Sequence, residues 1–309
     1  MPNWAGSSWY FLRFMDPHND KCFASMDAMK YWNRVDWYNG GMEHTARHLL
    51  YARFWVQFLY NIGLVPNKEM IWTRVSHGMI LGSNGEKMSK SKGNVINPDD
   101  MVRDYGADAL RVYEMFIGDY TKDASWSENG LKGCNKFLNR IWNLQDKLND
   151  NVGYTSSIES LINKTIKKVG DDILSMNYNT AVSSLMILLN DMDKLPSITK
   201  SDYRVLLHLL NPIAPHITEE LNEINNLGDE FSSSLWPTYD SSKLLESSIE
   251  IGVQVNGKLR GTIVVDKDMD REEVLKIAKA NDNVYKNIFG KDIVKEIVVP
   301  NKIVNIVVK

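Results

Sequence analysis

The groups best suited to chemistry in this sequence lie in one short segment, Lys87-Met88-Ser89-Lys90-Ser91, which Lys92-Gly93-Asn94 follows. Its three lysines, hydroxyls and backbone N–H donors form a compact positive charge that suits a polyphosphate. A lysine placed on the charge that develops on a displaced pyrophosphate lowers the barrier by electrostatic stabilisation. From charge alone, an ordinary basic surface loop is the simpler interpretation, because lysine-rich loops are common.

A second group of candidates surrounds the glycine pair of Gly40-Gly41-Met42-Glu43-His44, with His48 four residues further on. Glycines at the end of a strand let a ligand approach the backbone, and the N-terminus of a following helix offers free N–H donors. The Glu43 carboxylate can accept hydrogen bonds from ribose hydroxyls. His44 and His48 share one helix face, but HTARH lacks the glutamate of the HExxH zinc motif and no third ligand is evident. A nucleotide site and plain packing remain the competing interpretations.

The elements that must position these residues follow from the spacing of apolar residues. Residues 35–38 predict a short buried strand that Asn39-Gly40-Gly41 ends, and residues 43–61 are apolar at helical spacing. Residues 75–81 predict another strand, and residues 82–97 have the composition of an exposed loop. A strand, a glycine turn and a helix in this order are typical of a parallel α/β sheet.

Long amphipathic helices replace this pattern in the middle of the chain, which predicts a helical bundle. The predicted helices span residues 133–149, 158–170, 179–194 and 201–210, and another begins within NPIAPHITEEL at 211–221. Serine-rich stretches at 232–234 and 241–248 have the composition of linkers. The Trp126 and Trp142 side chains are interpreted as packing residues of the bundle.

The last part of the chain predicts a third unit. Strands at 252–255 and 262–265 flank Asn256-Gly257, which is typical of a hairpin, and a helix at 271–280 precedes strands at 293–299 and 303–308. Residues 249–309 hold eleven Lys and Arg against nine Asp and Glu, a net +2, which leaves −5 for the rest of a chain whose net charge is −3. This difference is too small to establish RNA binding.

Bulk composition restricts the class of protein. With 309 residues, of which 43% are hydrophobic and 24% charged, the chain can bury one large core or several smaller ones and is neither disordered nor membranous. No long apolar run appears, and the start MPNWAGSSWYFLRF lacks the features of a secretory signal, so a cytoplasmic location is expected. Cys22 and Cys134 stand far apart without CxxC spacing, which predicts packing residues.

The KMSKS segment matches the signature of class I aminoacyl-tRNA synthetases letter for letter, and it lies between a predicted strand and a helical region, as in that family. Within this class, GGMEHTARHLLYARF at residues 40–54 resembles the leucyl-tRNA synthetase family rather than its valyl, isoleucyl or methionyl relatives. The resemblance covers essentially the whole chain. The other segments that carry it are WAGSSWYFLRF, SHGMILGSNGEKMSKSKGNVINPDD, YGADALRVYEMFIGD, NPIAPHITEEL, VQVNGKLRGTI and VPNKIVNIVVK.

The resemblance implies ATP and Mg²⁺ as cofactors. Lys87 and Lys90 would be the catalytic residues, contacting the ATP phosphates while an amino-acid carboxylate attacks the α-phosphate. Met79 and Ile80 would offer backbone groups and an apolar surface to adenine. The ATP-binding residues carried over by position are Gly41, Glu43, His44, Met79, Ile80, Lys87, Met88, Ser89, Lys90 and Ser91, and no protein ligand to a metal is expected.

The same resemblance implies leucine and tRNA-Leu as partners. The leucine side-chain pocket would be lined by Trp4, Ser7, Tyr10 and His48. Lys258 and Arg260 would contact tRNA phosphates, and His77 departs from a glutamine that many family members carry. Two alternatives stay open: a non-catalytic tRNA-binding module, and a class I synthetase for another aliphatic amino acid.

Class I synthetases pair KMSKS with an HIGH-type element near the N-terminus, and this sequence contains none. The leucyl family also inserts an editing domain before the segment that resembles residues 4–14. We therefore expect Met1 to correspond to an internal residue of a longer parent, so that the chain is a gene fragment, a deliberately expressed piece or the second subunit of a split enzyme. Its partner would be the missing N-terminal half, and no membrane partner is expected. Because a reacting centre tolerates misplacement of only about an ångström, we expect the chain alone to be inactive.

These observations predict an α/β fold followed by an α-helical one. Residues 1–85 would form the second half of a Rossmann-type catalytic domain, and residues 86–125 the KMSKS loop and a connecting region. Residues 126–245 would form an α-helical bundle of the anticodon-binding type. Residues 249–309 would form a small α+β domain that binds tRNA.

Overall fold

The computed structural model of the chain describes residues 3–244 and 248–309. Its contacts divide the chain into two compact units, Met1–Gly153 with Lys168–Pro237 and Tyr154–Lys167 with Thr238–Lys309. Part of the predicted serine-rich linker, residues 245–247, lies outside the described residues. None of the helices in the two described ranges has the length and apolar character that a bilayer span requires.

The first unit begins with an α/β region built around two parallel strands. Its elements are α1 (Tyr10–Phe14), α2 (Met26–Trp32), β1 (Val35–Gly41), α3 (His48–Asn61) and β2 (Ile71–His77). Phe11 of α1, Met29 of α2 and Val56 of α3 are buried in one cluster, and Val35 and Ile71 at the start of the two strands pack against it. The helices therefore hold the strands through a shared apolar core.

Strand β1 runs through the glycine pair instead of ending before it. It pairs in parallel with β2 from Val35↔Ile71 to Gly41↔His77. The predicted strand at 35–38 is thus too short, because the interstrand hydrogen bonds use backbone groups that glycine also has. The predicted helix at 43–61 is divided into a 3-10 turn at Met42–Ala46 and helix α3. The carboxyl ends of both strands consequently meet at the same edge.

The strand predicted at 75–81 begins four residues earlier and is interrupted at Gly78. The next elements are β3 (Ile80–Leu81), α4 (Pro98–Tyr105), α5 (Ala107–Phe116) and β4 (Ala124–Ser125). Gly78 donates its N–H to the Tyr120 carbonyl at 2.9 Å, and a Cβ at this position would lie 1.9 Å from the Lys122 carbonyl oxygen. This close backbone contact requires glycine and turns the chain from β2 towards β3. Strand β3 then pairs in parallel with β4.

The helical bundle agrees with the predicted pattern, with shifted boundaries. Its elements are α6 (Glu128–Leu144), β5 (Leu148–Asn149), α7 (Glu159–Leu174), α8 (Tyr178–Lys194), β6 (Ile198–Thr199), α9 (Lys200–Leu210) and α10 (Pro215–Ile224). Helix α6 begins five residues before the predicted start at 133, because the Ser127 hydroxyl caps it by accepting a hydrogen bond from the Gly130 N–H at 3.2 Å. Pro215 is at the start of α10, as predicted.

Helix α5 is tied to the turn that precedes α10. The buried Asp108 carboxylate accepts hydrogen bonds from the Ile217 N–H at 2.7 Å and from His216 Nδ1 at 2.8 Å. Arg111 donates to the Ile213 carbonyl at 2.8 Å and to the Pro212 carbonyl at 3.1 Å. Helix α5, the second helix after the lysine-rich loop, is therefore fixed to the bundle by charge-assisted hydrogen bonds.

Only some of the side chains predicted to pack in the interior are buried as expected. Trp126 is buried against Tyr113 with ring centroids 4.9 Å apart, as expected, whereas Trp142 is 39% exposed. Cys134 is buried, and burial raises the pKa of its thiol to about 11, while Cys22 is exposed. The Ser-rich stretch at 232–234 belongs to a 3-10 turn that begins at the buried Phe231, so it is part of the bundle and not a linker.

The second unit contains a four-stranded sheet with two helices. Its elements are β7 (Ser248–Val255), β8 (Lys258–Asp266), α11 (Arg271–Ala280), α12 (Asp282–Ile288), β9 (Ile293–Val299) and β10 (Ile303–Val308). The strand order is β8-β7-β10-β9. Asn256 and Gly257 have φ angles of +50° and +76°, so the predicted hairpin turn is confirmed. Helix α12 was not predicted from the sequence.

Candidate active site

A cavity of about 390 Å³ opens where β1 and β2 end. Its walls come from the first turn of the chain and α1, from the end of β1, and from the start of α3. All four residues predicted to bind leucine line it, together with two of the residues predicted to hold the nucleotide. These six residues are Trp4, Ser7, Tyr10, Gly41, His44 and His48. Parallel pairing of the strands is the feature that brings these distant segments together.

Tyr38 joins two of the predicted leucine-binding residues. Its hydroxyl lies 2.6 Å from the Tyr10 hydroxyl and 2.6 Å from Nε2 of His48. Burial and the Tyr10 hydrogen bond raise the pKa of Tyr38 above its ordinary range, so the phenol is neutral. Burial, with the nearby charges of His44 and Arg74, lowers the pKa of His48, so the imidazole is also neutral near pH 7. The polar edge of the cavity is therefore an uncharged chain of hydrogen bonds.

Aromatic rings form the apolar walls of the cavity. Trp4 meets His44 edge to face with ring centroids 5.7 Å apart, and it also contacts Tyr51. Tyr10 stacks on His48 at 6.1 Å. Rigid rings around a neutral polar edge suit a small, mostly aliphatic side chain.

Glu43 stands beside the cavity, next to the glycine pair. A Cβ on Gly41 would lie 2.3 Å from Oε2 of Glu43, so the carboxylate occupies the space that a larger residue would fill. A hydrogen bond from its own backbone N–H lowers the pKa of Glu43, and the charges of His44, Lys87 and His77 lower it further. Glu43 is therefore an ionised acceptor at an exposed position, within electrostatic reach of Lys87.

The lysine-rich loop is exposed but internally ordered. Asn94 accepts a hydrogen bond from the Ser89 N–H at 2.9 Å, and Lys87 forms an isolated antiparallel bridge with Leu81. Lys92 is paired with Glu86 at 2.9 Å. By contrast, Lys87 and Lys90 form no ion pair with any carboxylate of residues 3–244 or 248–309. The two lysines predicted to be catalytic are thus the ones whose charges are available to a ligand.

Met79 and Ile80 line a different cavity, of about 300 Å³, which shares His77 with the first. The Met79 N–H donates to Oδ1 of Asp123 at 2.7 Å, and its carbonyl accepts from the Ala124 N–H at 3.0 Å. In this structure the Asp123 side chain occupies the Met79 N–H, and pairing with the β4 segment occupies the Met79 carbonyl. That Met79 and Ile80 offer backbone groups and an apolar surface to adenine stays a prediction.

Comparisons with known proteins agree with this arrangement. The family described as tRNA synthetases class I (I, L, M and V) matches residues 42–127, which begin directly after the glycine pair and include Glu43 and the lysine-rich loop. A protein named "Leucine--tRNA ligase" from Alkaliphilus oremlandii (strain OhILAs) is 53% identical over all 309 residues. The chain is a leucine–tRNA ligase homologue.

The homology extends through both compact units. The family described as the anticodon-binding domain of tRNA ligase matches residues 156–276. A solved structure, the ternary complex of Agrobacterium radiobacter K84 agnB2 LeuRS with tRNA and LeuAMS, superposes with a TM-score of 0.72 at 28% identity over 98% of this chain. The chain spans 38% of the length of the Alkaliphilus relative and 42% of the Agrobacterium chain. This chain therefore corresponds to only part of each of these longer relatives.

Lys258 and Arg260, the residues predicted to bind tRNA, lie in the second unit. Both are exposed at the start of β8, an edge strand of the sheet. Neither forms an ion pair within the described residues. Their side chains are thus accessible to a phosphate backbone, and their role stays a prediction.

The residues around the lysine-rich loop fit ATP better than they fit a protein-held metal. Within residues 3–244 and 248–309, no three His, Cys, Asp or Glu side chains are grouped so that they could hold a metal ion. Mg²⁺ in nucleotide sites is commonly bound by substrate phosphates and waters with few protein ligands. The Mg²⁺ implied by the homology would accordingly enter with the nucleotide.

Six of the twelve residues that line the main cavity were not assigned a role from the sequence, and three of them have ionisable side chains suited to binding a polar group. Tyr38 and Arg74 lie in β1 and β2, and His77 ends β2. Strand residues of mixed polarity are usually explained by the two faces of a sheet. A sequence feature that could have indicated them is their position near the carboxyl ends of parallel strands, where ligands bind in α/β sheets.

Proposed function

We propose that this chain supplies the leucine pocket and the KMSKS loop of a leucine–tRNA ligase, which activates leucine with ATP and transfers it to tRNA-Leu. The observation that carries the proposal is the single cavity lined by Trp4, Ser7, Tyr10 and His48 at the end of two parallel strands. The position of Lys87 within electrostatic reach of Glu43 adds the phosphate-binding charge.

In the proposed reaction, the leucine carboxylate attacks the α-phosphate of ATP, leucyl-adenylate forms and pyrophosphate leaves. The terminal ribose of the tRNA then attacks the activated carbonyl, and AMP leaves. Lys87 and Lys90 stabilise the charge on the departing pyrophosphate, since neither is neutralised by a carboxylate of the described residues. Glu43 orients the ribose by accepting its hydroxyl hydrogen bonds. Such a role in translation accords with the cytoplasmic location expected from the sequence.

The 309 residues alone are proposed not to catalyse activation, because the lysines contact the phosphates from one side only. The test is leucine-dependent ATP–pyrophosphate exchange, measured with the chain alone and after mixing with a polypeptide that corresponds to the preceding part of the Alkaliphilus relative. We expect no exchange alone and leucine-dependent exchange after mixing. Robust exchange by the chain alone would contradict its inactivity, and a preference of the mixture for valine, isoleucine or methionine would contradict the leucine assignment.

Matched lysine variants test the role of the loop in the mixed enzyme. Lys90→Ala removes an unpaired charge and should lower the exchange rate by about a hundredfold or more, as for other transition-state donors. Lys92→Ala removes a neighbouring lysine that is already paired with Glu86, and should change the rate by less than about threefold. If both variants lose the same fraction of the exchange rate, Lys90 has no specific catalytic role.

A non-catalytic tRNA-binding role is the second candidate. It is favoured by the match of residues 156–276 to an anticodon-binding domain, which does not depend on the catalytic cavity. Filter binding of tRNA-Leu by the chain alone tests it. Binding that persists while the mixed enzyme shows no exchange with any amino acid would support this candidate over the first.

A further inference from the structure

Arg74 is a positive charge in the wall of the main cavity. It lies in β2, and its Nη2 donates to the Gly40 carbonyl at 2.8 Å and to the Gly41 carbonyl at 3.1 Å. These two bonds hold the guanidinium across the end of β1, beside the glycine pair. They account for one of its three nitrogens.

The other two nitrogens of Arg74 are not satisfied by the protein. Nε and Nη1 are both buried and have no hydrogen-bond partner among the described residues. A buried donor without a partner costs free energy, and the cost is higher when the group is charged. A bound ligand is one of the ways in which such a group is satisfied.

Arg74 also has no ion-pair partner among the described residues. No carboxylate of residues 3–244 or 248–309 forms an ion pair with it. Its neighbours in the cavity wall are the neutral Tyr38–His48 pair and two further histidines, His44 and His77. By contrast, the surface residue Arg53 is paired with Glu69 at 2.6 Å. A partly buried cation without an ion-pair partner attracts an anion.

We propose that Arg74 is an oxyanion-binding residue of the cavity, which holds the carboxylate of a bound amino acid or, after activation, the phosphate of its adenylate. The guanidinium is well suited to either group, because it donates several N–H bonds in one plane. The Tyr10, Trp4 and His48 side chains would then receive the aliphatic part of the ligand. This inference rests on the proposed function for the identity of the ligand, and on the unpaired charge for the presence of one.

Two pairs of small molecules test the inference on the 309-residue chain by titration calorimetry. L-leucine and L-leucinol differ in the carboxylate, and AMP and adenosine differ in the phosphate. Arg74→Gln should weaken binding of one or both anions by about tenfold or more, since hydrogen bonds to charged groups have roughly that effect, with less than about twofold change for the partner that lacks the anion. Arg74→Lys should keep part of the affinity. Arg53→Gln removes a distant, paired charge and serves as the control.

The outcomes separate the inference from the proposed function. A loss confined to leucine over leucinol assigns Arg74 to the carboxylate, and a loss confined to AMP over adenosine assigns it to the phosphate. The inference is overturned if Arg74→Gln weakens binding of leucine and leucinol equally, and of AMP and adenosine equally, while its melting temperature is unchanged. Arg74 would then only position the glycine pair. Absence of any binding by the unmodified chain overturns it too, while leucine-dependent exchange by the mixed enzyme would still support the proposed function.

Discussion

The central residue of the cavity is one that the sequence did not single out. Tyr38 satisfies the hydroxyl of Tyr10 and a ring nitrogen of His48, two residues predicted to contact leucine. The predicted residues depend on it, because each would otherwise bury a polar atom without a partner. If the cavity binds leucine as proposed, Tyr38 supports the pocket without having to touch the ligand itself.

The first prediction concerns pH. Burial lowers the pKa of His48 below its value of 6.5 in unfolded chains. Below about pH 6.5 the unfolded chain therefore binds more protons than the folded one, and stability should fall as the pH decreases towards the folded pKa. Urea unfolding at pH 7.5 and 5.5 measures the change, and a carbon-detected titration of the imidazole should give a midpoint below 6.5.

His48→Gln supplies the comparison for this pH effect. The variant cannot take up a proton at this position, so its stability should depend less on pH across the same window. His208 must be considered as well, because burial lowers its pKa too. A pH dependence identical in the variant and the unmodified chain would assign the effect to His208 or to other groups.

The second prediction distinguishes the two adjacent glycines. Gly41→Ala places a methyl group 2.3 Å from Oε2 of Glu43 and must displace the carboxylate, so binding of a non-hydrolysable leucyl-adenylate mimic should weaken by about tenfold. Gly40→Ala is the control, because its methyl group would meet only Nη2 of Arg74 at an ordinary 3.7 Å. If both variants bind the mimic equally well, Glu43 does not hold the ribose.

At the level of residues, sequence reasoning succeeded where a motif existed and failed where a contact depended on topology. Trp4, Ser7, Tyr10 and His48 were assigned together and line one cavity. Arg74 has no motif, and its role arises only because β2 lies beside β1. The contact of the Met79 N–H with Asp123 could not be predicted either, because Asp123 is 44 residues away in the sequence.

At the level of elements, glycines account for two of the strand boundaries that were predicted wrongly. Gly40 and Gly41 were taken to end β1, yet they continue its pairing with β2. Gly78 was placed inside a strand, yet its contact with the Lys122 carbonyl breaks that strand. A local pattern cannot distinguish a glycine that breaks an element from one that continues it, because the deciding partner lies on another segment.

The third prediction uses two glycines of helix α6. At Gly133 an added Cβ would meet nothing within 4 Å, so Gly133→Ala should stabilise the protein by about 0.5–1 kcal/mol through helix propensity. At Gly130 it would lie 2.7 Å from a ring carbon of Tyr113, so Gly130→Ala should be destabilising. Thermal unfolding of both variants measures the difference. A gain of stability in both would show that the Tyr113 ring moves freely.

At the level of the whole molecule, the fourth prediction concerns tRNA. Lys258 and Arg260 are exposed cations on an edge strand, and phosphate contacts of this type release counterions. The Lys258→Ala, Arg260→Ala double variant should bind tRNA-Leu more weakly and reduce the slope of log affinity against log salt by about 2. Filter binding between low and moderate salt gives the slope. A weaker affinity with an unchanged slope would argue against phosphate contacts.

Whole-molecule organisation was only partly accessible from the sequence. The order of an α/β region, a helical bundle and a hairpin-containing region follows from periodicity and turn residues. Tyr154–Lys167 belongs to the same compact unit as Thr238–Lys309, although helix α7 continues beyond Lys167. Periodicity identifies such a helix but not the unit it belongs to, so the predicted domain limits at 126–245 and 249–309 stay predictions.

The bonds from Asp108 and Arg111 to the start of α10 join positions that are about a hundred residues apart in the sequence. Helix α5 therefore cannot rotate by itself without breaking four hydrogen bonds at once. Helix α4 connects α5 to the lysine-bearing loop along the chain. The point at which the chain leaves that loop is thus anchored, through α4 and α5, to residues that follow more than a hundred positions later.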